Sequence, residues 1–137
     1  MITMMQSLIG KKITSLAVSD DQHILQVGTD QTPIMFEAEG DCCSESWFAE
    51  ILGVDALLGG KVHGVERLRM SDYNVNDGRS RQWADVAYGY SICTDKGHGE
   101  VIFRNSSSGN GNYGGRLSLS FKEWLVPMTQ ITEDWQA

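Results

Sequence analysis

Two short stretches concentrate the residues whose types can do chemistry. The longer runs Phe103-Arg104-Asn105-Ser106-Ser107-Ser108-Gly109-Asn110-Gly111-Asn112-Tyr113-Gly114-Gly115-Arg116. Guanidinium groups such as Arg104 and Arg116 hold phosphate oxygens two at a time. Serine hydroxyls, asparagine amides and glycine-rich backbone add further donors, and an aromatic ring such as Tyr113 stacks on a base. Gly109, Gly111 and Gly114 spell G-x-G-x-x-G. The dinucleotide fingerprint needs a strand before it and a helix after it, and Arg116-Leu117-Ser118-Leu119 reads as a strand. No G-K-[ST] follows either, which excludes a P-loop. The plainer reading of the same stretch is a polar hairpin loop.

The shorter stretch is Gly40-Asp41-Cys42-Cys43-Ser44-Glu45-Ser46-Trp47-Phe48. A thiol near a helix N-terminus has a lowered pKa and becomes a nucleophile, which Cys43 with His63 or His98 could exploit. A metal site asks for C-x-x-C or histidines at matched spacing. His23, His63 and His98 show neither, so no metal is expected. The favoured reading is two small thiols packed in a corner. No catalytic set and no cofactor motif stands out.

The elements that position these residues read mostly as strands. His23 to Thr29 and Thr32 to Ala38, after a weaker strand over Lys11 to Val18, suggest an antiparallel meander. Ser44 reads as an N-cap, with Trp47, Phe48, Ile51 and Leu52 as the apolar stripe of the main helix, ended by Gly53. A further short turn follows through Ala56-Leu57-Leu58, stopped by Gly59-Gly60. Lys61 to Met70 reads as a strand with a bulge at Gly64, and Ser71 to Arg81 as a polar loop. Val86, Tyr88, Tyr90 and Ile92 alternate strictly, Thr94-Asp95-Lys96-Gly97 turns, and Glu100 to Arg104 returns. Leu117, Leu119 and Phe121 make the last strand. The expectation is an α+β fold, an antiparallel sheet of six or seven strands with one main helix.

The chain has 137 residues, which fits a single domain over 1–137. Its 18 Asp+Glu against 11 Lys+Arg give a net charge of −7. Such a field repels DNA but leaves room for a small anion held by local arginines. No apolar run approaches a membrane span, no signal-peptide pattern opens the chain, and the cysteines Cys42, Cys43 and Cys93 form no disulfide framework. The expected location is the cytoplasm.

Together, Gly40-Asp41-Cys42-Cys43-Ser44 with Trp47-Phe48, and Phe103-Arg104-Asn105-Ser106-Ser107 with Tyr113-Gly114-Gly115, resemble a family of small phage and prophage proteins that includes the first Thoeris anti-defence family. The order also fits: Leu8-Ile9-Gly10-Lys11, the Cys-Cys corner, a T-D-x-G hairpin, then the Arg-Asn-Ser-Ser loop. The resemblance spans about residues 8–121 and leaves 122–137 as a C-terminal extension. It implies a sponge, not an enzyme. Such proteins sequester cyclic ADP-ribose isomers, and some hold cyclic oligonucleotides. They assemble as homodimers or dimer-based hexamers with the ligand between protomers. Carried onto this chain, the ligand-binding candidates are His98, Phe103, Arg104, Asn105, Ser106, Tyr113 and Arg116, and no cofactor is implied. The run Ser108 to Asn112 is longer than the family's compact loop. Two other readings compete: a nucleotide-processing enzyme using Cys43 or His98, and an inhibitor that binds a host defence protein.

Overall fold

The computed structural model describes residues 4–39, 44–68, 84–107, 116–119 and 127–137. After a 3-10 turn over Met4–Leu8 come β1 (Ile13–Ser19), β2 (Ile24–Thr29), β3 (Ile34–Glu39), β4 (Ser44–Leu52), α1 (Val54–Leu57), β5 (Val62–Leu68), β6 (Ala84–Thr94), β7 (Gly97–Ser107), β8 (Arg116–Leu119), β9 (Met128–Gln130) and β10 (Trp135–Gln136).

The strands form two antiparallel sheets. One is the meander sheet, ordered β8-β3-β2-β1-β9, and the other is the hairpin sheet, ordered β10-β4-β7-β6-β5. Alternation explains how they meet. Leu16 and Val18 of β1, Leu25 and Val27 of β2, and Phe36 and Ala38 of β3 form one buried face. It shares a core with Phe48 and Ile51 of β4, Val65 of β5, Tyr90 and Ile92 of β6, and Val101 and Phe103 of β7. Each fully buried large apolar side chain stabilises the fold by about 1.5–3 kcal/mol. The meander, the bulge before Gly64 and the Thr94–Gly97 turn follow the sequence reading.

The expected main helix is a strand. Residues Ser44–Leu52 form β4, and the one α-helix among the described residues, Val54–Leu57, is the short turn expected after it. The reason is a bulge at Ala49. Phe48 pairs with Phe103 and Glu50 with Ile102, so Ala49 is an extra residue in the ladder. The slip puts Phe48 and Ile51 on one face, a spacing of three that mimics a helical stripe. The Ser44 capping role falls with it. The described residues form ten strands where six or seven were expected. Among them, no helix is long and apolar enough to cross a membrane.

Candidate functional site

Strand β7 carries most of the residues singled out by sequence, and its pleat divides them. Phe103 faces the shared core with 1% of its surface exposed. Its ring stacks on Tyr88 at a centroid distance of 4.9 Å and on Tyr90 at 6.3 Å, and tilts against Phe48 at 6.2 Å. A ligand cannot touch this ring without opening the core, so Phe103 leaves the set of direct ligand contacts.

Arg104 points to the opposite face of the sheet. It pairs with Trp47 of β4 and Ala87 of β6 in register. Its guanidinium carbon lies 5.1 Å from the centre of the Trp47 ring. Arg104 is 3% exposed, and Asn105 is 2% exposed. Asn105 returns to the core side, where its Nδ2 donates to the Ser46 hydroxyl at 2.9 Å, a buried bond between directly opposed residues. Burial of these groups is tolerated because each is partnered; stripped of a partner, each would cost about 1–3 kcal/mol or more. Both residues therefore set the end of β7 from within.

Ser106 follows on β7, opposite Glu45 of β4 and Asp85 of β6. Arg116 opens β8 opposite Glu39, on the other sheet. His98 stands six residues before Arg104 on the same strand, beside the β6–β7 turn, and is exposed. At about 3.3 Å per residue the two are about 20 Å apart. The structure thus places Arg104, Asn105 and Ser106 at one end of β7, with Arg104 and Asn105 on opposite faces, and leaves His98 at the far end. Tyr113, Cys42 and Cys43 lie outside the described residues.

Three features escape a reading of the chain as a string. Trp47 and Ser46 partner Arg104 and Asn105, which only the β4–β7 register reveals. Arg67, exposed on β5, places its guanidinium carbon 5.8 Å from the centre of the Tyr88 ring. The alternation of Tyr88 was legible; its pairing with Arg67 was not. Burial pushes the neighbouring Tyr90 phenol above the usual tyrosine range, against the pull of Arg67. The third feature is the β1–β2 turn of the meander sheet, which docks on β4. The Gln22 carbonyl accepts the Phe48 amide at 2.8 Å, and His23 Nε2 lies 3.7 Å from Glu45 Oε1. In that turn burial raises the Asp21 carboxyl pKa, but the Ser19 hydroxyl and the His23 amide outweigh it and hold the carboxyl below its usual value.

These features define a class: a two-sheet antiparallel β protein with Arg104 and Asn105 buried on the middle strand of one sheet and Arg67 exposed on its edge. Residues 6–119 match the family described as Domain of unknown function (DUF7448), and the chain belongs to that family. No curated protein and no solved structure matches it.

Proposed function

We propose that this protein binds a small cyclic nucleotide signal, a cyclic ADP-ribose isomer or a cyclic oligonucleotide, and sequesters it without turnover. The observation that carries the reading is a pair of guanidiniums held against aromatic rings within one sheet, Arg104 on Trp47 and Arg67 on Tyr88. An exposed guanidinium beside an aromatic ring is the chemistry that recognises a phosphate joined to a base. In this reading Arg67 and Tyr88 meet the ligand, while Arg104 and Asn105 position the end of β7. Ser106, Tyr113 and Arg116 stay ligand candidates in the same reading. His98 reaches the ligand only from a neighbouring protomer, and a homodimer or dimer-based hexamer belongs to the same proposal. So does a role as a phage-encoded counter-defence protein acting in the host cytoplasm. The resemblance of the Gly-Asp-Cys-Cys-Ser and Arg-Asn-Ser-Ser segments supports that part.

The test is a thermal-shift and calorimetry panel of cyclic ADP-ribose isomers and cyclic di- and trinucleotides. Any hit is then released by heat and chromatographed. Tight binding with intact ligand recovered is the expected result. The Arg67→Ala variant should weaken that binding about tenfold or more, the worth of one charge-assisted hydrogen bond. Recovery of altered ligand would overturn sequestration in favour of an enzyme. No binding across the panel would overturn the nucleotide reading and leave a protein partner as the next target.

A further inference from the structure

Residues far apart in the chain meet at the turn end of the hairpin sheet. Cys93 on β6 stands directly opposite His98 on β7. On its other side Cys93 stands opposite Gly64 of β5, and the ladder slips between Val62 and Gly64. His63 is the extra residue of that bulge, so His63 and Gly64 together oppose Cys93. Ile92, Val65 and Tyr90 turn to the core, which sends Cys93 and His98 to the outer face. His63, Cys93 and His98 are all exposed. A Cβ built on Gly64 would meet nothing within 4 Å, so the space beside Cys93 is open.

The strands that carry this row are tied together. The Lys61 amide donates to Asp95 Oδ1 at 2.9 Å, joining the start of β5 to the turn after β6. The Thr94 hydroxyl donates to the Ala56 carbonyl at 2.7 Å and accepts the Lys96 amide at 3.1 Å. One step along the outer face, Ser91 stands between Glu66 of β5 and Glu100 of β7, two carboxylates that add negative potential beside the row.

We propose that His63, Cys93 and His98 form a binding site for a borderline-soft divalent cation, with Zn2+ the best match. Two imidazoles and one thiolate are a zinc donor set, with a fourth position left to Glu66, Glu100 or water. Neighbouring strands lie about 4.8 Å apart, so an ion above Cys93 is within reach of an imidazole on either side. As the side chains stand, no three His, Cys, Asp or Glu among the described residues converge on one point. Closing the site takes rotation of exposed side chains on a fixed backbone, with loss of the thiol proton on binding. The site shares only His98 with the nucleotide reading, rests on the β5–β6–β7 register and not on that reading, and sits about 20 Å along β7 from Arg104.

Cobalt(II), added alone to the reduced full-length protein, is the probe, because a cobalt–thiolate bond gives a near-ultraviolet charge-transfer band. The band should appear, persist in the Cys42→Ser/Cys43→Ser double variant, vanish in Cys93→Ser and be displaced by Zn2+. His63→Ala and His98→Ala should each weaken cobalt binding by about tenfold or more. His63, Cys93 and His98 are exposed, so their variants should retain the fold. A band that survives Cys93→Ser, or affinity unchanged by loss of both histidines, would overturn the proposal. So would the absence of any Cys93-dependent band.

Discussion

Arg104 lies over Trp47 at 5.1 Å and Arg67 lies over Tyr88 at 5.8 Å, yet the first arginine is buried and the second exposed. Position in the sheet accounts for the difference. Arg104 sits on β7, the middle strand, with β4 on one side and β6 on the other; Arg67 sits on β5, an edge strand with a neighbour on one side only. A cation enclosed on both sides acts on the fold, and its attraction to the ring is strengthened by desolvation. A cation at an edge keeps its hydration and stays available to a ligand, at little cost to the fold. The two pairs share a support, because Tyr88 stacks on Phe103 and Phe103 precedes Arg104 in the chain.

Phe103→Ala strikes that shared support and carries the largest expected effect. The ring is 1% exposed and meets Tyr88, Tyr90 and Phe48 at once. Truncation should cost about 3–5 kcal/mol in urea-unfolding free energy. A cost under about 1 kcal/mol would mean that the ring is not a core residue and would return it to the ligand surface.

Arg104→Lys separates charge from shape and ranks second. The positive charge is kept, but the flat guanidinium that covers the indole is lost and a strongly hydrated ammonium replaces it in a buried place. The expected loss is about 2 kcal/mol, the scale of a desolvated cation–π contact. The same exchange at Arg67 should cost no more than about 0.5–1 kcal/mol. Equal costs at the two sites would abolish the contrast between them.

Local alternation made much of the fold legible. Val86, Tyr88, Tyr90 and Ile92 announce β6, and Thr94-Asp95-Lys96-Gly97 announces the turn that follows. What one-dimensional spacing missed has one physical origin, the register between strands. The bulge at Ala49 converts a strand's period of two into a helix-like three, which gives Ser44–Leu52 a helical pattern in the sequence. The polarity of the Arg-Asn-Ser stretch suggests a ligand loop. On a middle strand, however, Arg104 and Asn105 turn to Trp47 and Ser46 instead. Spacing along the chain does not relate His63, Cys93 and His98, whereas the ladder joins them across it.

Arg67→Ala gives the smallest expected effect on the fold and the sharpest reading of the exposed pair. Removing an edge guanidinium from Tyr88 should lower stability by about 0.5–1 kcal/mol at most. Its second signature is electrostatic. Tyr90 pairs with Arg67 in register, and its phenol is held above the usual tyrosine range by burial while Arg67 pulls it down. Loss of Arg67 should therefore move the Tyr90 titration further up, followed by phenolate absorbance. A raised phenol pKa in the folded state gives stability that is full below the unfolded value of about 10 and is lost as pH rises toward the folded value. The variant extends the pH range over which stability is lost, so its alkaline unfolding limb shifts to lower pH, in the same direction as the slight fall in its stability near neutrality. A Tyr90 titration unmoved by the substitution would place the Arg67 charge too far from the ring stack to serve the ligand beside Tyr88.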